Sequence, residues 1–206
     1  SIADIPAGTG LGSSSCYTVG LLHALYTLKR DYATPQELAE EDFKIEREIL
    51  GRPIGKQDPY LAAFGGMFVM EIATNGRVTY RRANVSNGTM DDLNRNMMIF
   101  FTGKTRSADE ILKEQEAGVN KEADQTKKDA TESMHYIKQI GYEILEAVED
   151  GNLDDVGKLF DAHWQHKKRT SSKMTSPEFD KIYDLAKENG ALGGKISGAG
   201  GGGFFT

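Results

Sequence analysis

Pro6-Ala7-Gly8-Thr9-Gly10-Leu11-Gly12-Ser13-Ser14-Ser15 runs straight into an apolar pattern of helical spacing, Val19, Leu22, Leu25 and Leu28. The alternating glycines let backbone N–H groups turn inward and approach a ligand with no Cβ in the way. At the start of a helix, such a loop also gains the positive end of the helix dipole and the unpaired first-turn N–H donors. That combination is an anion site, and phosphate is the anion it most commonly holds. The expectation is a chain that handles a nucleotide. The competing reading makes Ser13 to Ser15 a cluster of N-cap hydroxyls and nothing more.

Working outward, a second glycine-rich segment closes the chain: Lys195-Ile196-Ser197-Gly198-Ala199-Gly200-Gly201-Gly202-Gly203, leading into Phe204-Phe205. The first segment is not a Walker loop, because no Lys follows its glycines, and a dinucleotide Gly-x-Gly-x-x-Gly does not fit it either. The order Gly-Leu-Gly-Ser-Ser instead puts hydroxyls where a Walker loop places Lys and Ser/Thr. Hydroxyls at a helix start can bond phosphate oxygens or ligate Mg²⁺. Both ends of the chain read as cuts through a larger fold, since Ser1 stands five residues before the loop and Gly203-Phe204-Phe205-Thr206 opens a strand.

Composition bounds the rest. The 206 residues carry 38% hydrophobic side chains and a net charge of −6, from 25 basic and 31 acidic residues. That is enough for a real core in one large or two small domains. No basic stripe interleaves with aromatics, so neither nucleic acid nor an anionic membrane surface is expected as a partner. Cys16 stands alone, excluding an internal disulfide or a thiol metal pair. No apolar stretch approaches the roughly 18 residues of a membrane span and no signal-peptide pattern opens the chain, so a reducing, cytoplasmic setting is the default.

The element pattern is mixed α and β. Thr34, Pro35 and Glu37 predict a capped helix running to about Leu50, where Gly51 stops it. Met67 to Ile72 and Val78 to Tyr80 flank Asn75-Gly76, a hairpin. A polar stretch around Ser86-Asn87-Gly88 suggests a domain boundary near residue 88, giving units 1–88 and 89–206. Met97 to Phe101 reads as a buried strand, and Ser107 with Glu110 as a capping box opening a helix at Ala108. Further helices follow on Met134, Ile137, Ile144 and Val148, on Val156, Leu159 and Phe160 after Asn152, and after Ser176-Pro177.

Two acidic residues stand out. Nucleotide-bound Mg²⁺ usually takes one or two protein carboxylates, and Glu46 sits at the margin of its helix's buried face; a surface Glu paired with Arg or Lys is the plainer reading. Asp58 follows Gly55-Lys56-Gln57 on a loop, where a carboxylate beside a Lys could accept or orient a hydroxyl proton. Asp before Pro59 is equally a turn starter.

Together these residues resemble the GHMP kinase family, which includes galactokinase, homoserine kinase, mevalonate kinase and phosphomevalonate kinase. Pro6 to Cys16 is similar to its second signature and Lys195 to Gly203 to its third, in the right order. Glu46-Arg47 and Gly55-Lys56-Gln57-Asp58 resemble the acidic segments between them. Gly55 to Gly66, Phe101 to Ala108 and Trp164 to Lys168 look like the branch acting on D-glycero-D-manno-heptose 7-phosphate. The resemblance implies an α+β fold, the GHMP kinase fold, with a partial ribosomal-protein-like N-terminal domain and a partial ferredoxin-like C-terminal one. It implies that Ala7, Gly8, Thr9, Gly10, Leu11, Gly12, Ser13, Ser14 and Ser15 wrap ATP, that Ser14 and Glu46 ligate Mg²⁺, and that Asp58 is the base or orients the hydroxyl. Lys56, Gln57, Arg106, Gly198, Ala199 and Gly200 fall on the substrate side. The implied activity is an ATP-dependent sugar kinase moving the γ-phosphate to the anomeric hydroxyl of a heptose 7-phosphate. Its alternatives are another sugar kinase of the fold, such as one for fucose, or a non-catalytic sugar sensor. The family's first signature, a Pro-x-Arg segment that adds to the sugar site, does not occur in the sequence. Ser15 stands where many relatives carry Ala, and Pro59 where they often carry a polar residue.

Remaining features have plainer readings. His163 and His166 share a helix face at a spacing two metal ligands could use, but no Cys or acidic partner joins them, and cleft or surface positions fit better. His23 and His135 read as packing or solvated, and Trp164 as core. Arg106 can clamp a sugar phosphate through bidentate contacts or form a surface salt bridge.

Overall fold

A computed structural model of the chain describes residues 4–5, 8–105, 111–113, 125–171 and 173–206. Helix α1 (Ser13–Leu28) leaves the first glycine loop, and α2 (Pro35–Phe43) follows after a short turn. The capping box at the head of α2 forms as expected: Thr34 Oγ1 accepts from the Glu37 N–H while the Glu37 carboxylate accepts from the Thr34 N–H. The helix does run to the Leu50–Gly51 junction, but Lys44–Ile49 winds as a π-helix. A wider turn of this kind inserts a residue and re-aims the side chains around it.

Helix α3 (Gln57–Phe64) and the antiparallel hairpin β1 (Phe68–Ile72) with β2 (Val78–Arg82) complete this half. The register pairs Phe68 with Arg82 and Ile72 with Val78 around the Asn75-Gly76 turn. Helices α1, α2 and α3 close over Val19, Leu22, Ala33 and Leu38, and α2, α3 and the hairpin over Ala39, Tyr60 and Val78. A cavity of about 350 Å³ lies between Val19, His23, Tyr32, Leu38 and Ala62.

The polar stretch at 86–88 is not a bare linker: Ser86 caps α4 (Asn87–Asn96), its hydroxyl accepting from the Thr89 N–H. Met97 to Phe101 is not a buried strand. Only Phe100 and Phe101 form β3, and Met98 is 73% exposed. The partner of β3 is β4 (Phe204–Phe205), which immediately follows the second glycine segment, with Phe100 opposite Phe205. The opening of the expected helix at Ala108 lies outside the described residues, and residues 111–113 are helical, with Ile111 buried.

Helices α5 (Gln125–Glu149), α6 (Leu153–Lys168) and α7 (Pro177–Glu188) build the second half. Trp164, Met174, Phe179, Tyr183, Ile196 and Phe205 form its core, and Trp164 is fully buried, as its bulk predicts. Among the described residues no helix is long and apolar enough to cross a membrane. Separate hydrophobic clusters thus sit under the elements that carry each glycine segment.

Candidate active site

The two glycine segments, from opposite ends of the sequence, touch. Gly10 has φ +80 and Gly198 φ +65, and a Cβ on Gly198 would lie 2.7 Å from Gly10 Cα. A Cβ on Gly10 would in turn overlap the Ser197 carbonyl oxygen. Neither position tolerates a side chain, because the backbone of one loop fills that space for the other. The Phe204 N–H also donates to the Thr9 carbonyl at 3.2 Å, tying β4 to the first loop.

The N-cap of α1 is Gly12, in the left-handed region at φ 65, and no side chain caps the helix. The reading of Ser13 to Ser15 as a cap cluster is thus corrected: the turn is made by glycine, which frees the hydroxyls for other partners. Ser14 Oγ donates to Glu46 Oε2 at 2.7 Å, and Ser15 Oγ reaches Glu46 Oε1 at 3.4 Å. Glu46 is 1% exposed, fully buried rather than marginal. Its place follows from the π-helical turn that carries it inward against α1.

Arg52 bridges the same two groups, donating to Ser14 Oγ at 2.8 Å and to Glu46 Oε2 at 3.1 Å. Its guanidinium is a positive stand-in on a hydroxyl and a carboxylate oxygen. Such hard oxygen donors suit Mg²⁺, which needs few protein ligands and fills its sphere with water and phosphate oxygens. Sequence reasoning did not single out Arg52; a cation six residues beyond Glu46 gives no helical signal once Gly51 has ended the helix.

Asp58 sits in the first turn of α3, not on a loop. A Cβ on Gly12 would lie 3.5 Å from Asp58 Cγ and 3.7 Å from Oδ2, so the carboxyl packs against the mouth of the glycine loop. Burial, and then the charge of Glu46, raise its pKa. A raised pKa makes the carboxylate a better proton acceptor.

A further acid, Asp42, is fully buried beside Glu46, and neither carboxyl oxygen has a hydrogen-bond partner. Burial, and then Glu46, push its pKa up to about 7, with the nearby hydroxyls of Ser15 and Thr18 offsetting part of that.

Other expected residues are placed as follows. Lys56 is occupied: its ammonium bonds both Glu40 carboxylate oxygens at 2.8 and 2.7 Å and the Gly76 carbonyl at 2.9 Å, using all three protons. Gln57 is exposed, with its side chain folded back over Gly55. Gly198 is exposed at the junction of the loops, Ala199 is half-buried against the core around Trp164, and Gly200 is buried against Met174. Ala7 and Arg106 lie outside the described residues.

Against this geometry, residues 2–66 match the N-terminal domain of the GHMP kinases and residues 144–205 their C-terminal domain. The chain belongs to the GHMP kinase family. The first match holds the first glycine loop, Glu46 and Asp58; the second holds α6 and the second glycine segment.

Among relatives of this GHMP kinase, a D-glycero-alpha-D-manno-heptose 7-phosphate kinase from Campylobacter jejuni is 35% identical over 98% of the chain and 58% of its own length. A galactokinase from Pyrococcus furiosus is 26% identical over 97% of the chain and 60% of its own. The chain thus spans about three-fifths of the length of these relatives. A solved D-glycero-D-manno-heptose 1-phosphate kinase from Bacteroides thetaiotaomicron superposes with a TM-score of 0.73 at 29% identity, over 98% of this chain and 53% of that one. The galactokinase of Lactococcus lactis has a TM-score of 0.76 at 20% identity, over 98% and 58% of the two chains, which bears on the fold alone. The α+β GHMP kinase fold expected from the sequence is the fold observed.

Proposed function

We propose that the protein is an ATP- and Mg²⁺-dependent sugar kinase that transfers the γ-phosphate to the anomeric hydroxyl of a heptose 7-phosphate. One observation carries the reading: Ser14, Glu46 and Asp58, from three separate elements, converge on the mouth of one glycine loop. Phosphoryl transfer consists mostly of positioning and electrostatic stabilisation, and this set supplies both. The heptose relatives support the choice of sugar.

In this reading, residues 8–15 cradle the triphosphate with backbone N–H groups and the dipole of α1. Ser14 and Glu46 would hold Mg²⁺, which when bound would neutralise charge on the phosphates. Arg52, now bonded to both, would give up those two oxygens to the ion. Asp58 orients the sugar hydroxyl and takes its proton, and its raised proton affinity suits that task. Gly198 and Ala199 close the site from the second half, next to Gly10. Gln57 reaches the sugar by swinging off Gly55. The exposed, unpaired Cys16 fits a reducing, cytoplasmic setting.

The test follows Mg²⁺-dependent ADP release with heptose 7-phosphate, unphosphorylated heptose, L-fucose and no sugar, beside Asp58→Asn. Release with the 7-phosphate that falls roughly 100- to 10,000-fold in the variant supports the reading. Release with fucose alone replaces the sugar and keeps the reaction. Tight binding of sugar and ATP without release from any sugar makes the protein a sensor.

A further inference from the structure

Basic side chains that the phosphate-transfer site does not use gather where α6 meets the second glycine segment. Residues 193–198 run along this helix. A Cβ on Gly193 would lie 2.6 Å from the Asp161 nitrogen, Lys195 sets its Nζ 5.8 Å from the centre of the Phe160 ring, and Lys167 donates to the Gly198 carbonyl. His163 stands three residues after Phe160 and four before Lys167, hence on the same face. His166 flanks it, its ring stacked on Tyr136 at 4.6 Å.

This face brings two ammonium groups and two imidazoles together. Among the described residues no carboxylate pairs with His163, His166 or Lys195. Lys168, on a neighbouring face, has Asp180 at 3.6 Å, so the helix does pair its cations elsewhere. The Nδ1 atoms of both histidines are buried and have no hydrogen-bond partner. Buried polar atoms are ordinarily satisfied, and those that are not call for a missing group. Burial, then Lys195, Lys167 and His166, push the His163 pKa down to about 3. Burial lowers that of Lys195 as well. All four residues keep partial contact with solvent, so a small ion can reach them.

From this geometry we infer that His163, His166, Lys167 and Lys195 form a subsite for a phosphomonoester dianion, the phosphate already carried by the sugar. The inference rests on the kinase reading for the source of the dianion, not for its binding. Position separates it from the nucleotide's phosphates. The triphosphate cradle lies at the N-terminus of α1, whereas this face is built from α6 and residues 193–198, whose Gly198 abuts Gly10. A sugar held at the junction by its anomeric end can lay its far end along α6. The four residues would thereby set the preference for a phosphorylated sugar over a free one.

The experiment titrates inorganic phosphate into the full chain and follows the histidine ring signals by NMR, with His23 as internal reference. Saturable shifts of His163 and His166, with His23 still, are expected. They should persist with a non-hydrolysable ATP analogue bound and be competed away by heptose 7-phosphate. Lys195→Met should weaken phosphate binding about 10- to 100-fold, the scale of a lost charge-assisted bond, and Lys195→Arg should restore most of it. Still histidine signals at saturating phosphate overturn the inference without recourse to any variant. Shifts abolished by the ATP analogue assign the dianion to the nucleotide and overturn it too. A protein that binds phosphate on this face yet phosphorylates no sugar keeps the anion site and loses the kinase reading. In turnover, Lys195→Met should raise KM for the sugar phosphate by the same factor and leave that for the unphosphorylated sugar unchanged.

Discussion

Ser14 Oγ and Glu46 Oε2 are 2.7 Å apart, across 32 residues of sequence, with the Arg52 guanidinium bonded to both. A hydroxyl, a buried carboxylate and a displaceable cation make up a site that exchanges one positive charge for another. Glu46→Gln should lower kcat by about 100-fold or more, because the bound metal contributes several kcal/mol to transition-state stabilisation. Its Mg²⁺ half-saturation should rise at the same time. Turnover measured against Mg²⁺ concentration checks both, and a variant with unchanged Mg²⁺ dependence removes Glu46 from the metal site.

Arg52→Gln should act in the opposite direction on the metal. With no guanidinium to displace, half-saturation by Mg²⁺ should fall severalfold while ATP-independent stability changes little, since Arg52 is 45% exposed and such pairs contribute at most about 1 kcal/mol. Isothermal titration of Mg²⁺ in the presence of ATP reads the shift directly.

Asp42 imposes a pH dependence whose sign is set by its raised pKa. Its folded pKa, about 7, stands above the roughly 3.9 of an unfolded Asp, so the folded state holds the proton more tightly. The stability this contributes is complete below about pH 4 and is lost as pH rises through 7. Asp42→Asn should remove that slope, matching the parent near pH 4 and exceeding it at pH 8. Urea unfolding at the two pH values measures it; a parallel pair of curves would mean that Asp42 is charged in the folded protein.

Gly10 and Gly20 offer a contrast between two kinds of glycine. Gly10→Ala should destabilise by about 1–3 kcal/mol, since φ is +80 and the new methyl would overlap Ser197. At Gly20, within α1, a Cβ meets nothing within 4 Å, and Gly20→Ala should stabilise by about 0.5–1 kcal/mol. Equal effects at the two sites would mean that the glycine loops do not touch in solution.

Lys56→Met should damage the fold rather than the substrate site. Its side chain is 15% exposed and its three protons are spent on Glu40 and Gly76, so removal leaves the Gly76 carbonyl without its donor and Glu40 with the Tyr60 hydroxyl alone. Destabilisation of about 1–3 kcal/mol is expected, with sugar KM unchanged. A raised KM in a fully folded variant would return Lys56 to the sugar.

Much of this was readable along the chain. The phosphate loop, the capping box at Thr34–Glu37, the Asn75-Gly76 hairpin and the helix after Ser176-Pro177 are local, because glycine φ preferences, caps and turn residues act within a few positions. Fully buried Trp164 also followed from residue type alone. The strand expected at 97–101 failed for a related reason. An apolar run has no burial of its own, and among these five residues only Phe100 and Phe101 meet a partner strand, over a hundred positions away.

The sequence by itself determined the local elements, the two glycine segments and the family. Tertiary structure decided which polar groups work together. A π-helical turn, rather than any spacing in the sequence, turned Glu46 inward to Ser14, beside the buried Asp42. Packing took Lys56 for Glu40 and set Asp58 against Gly12. It also brought His163 and Lys195 onto one face, where no carboxylate among the described residues pairs with them. Local rules cannot reach such pairings, because burial and charge proximity depend on which distant segments share a core.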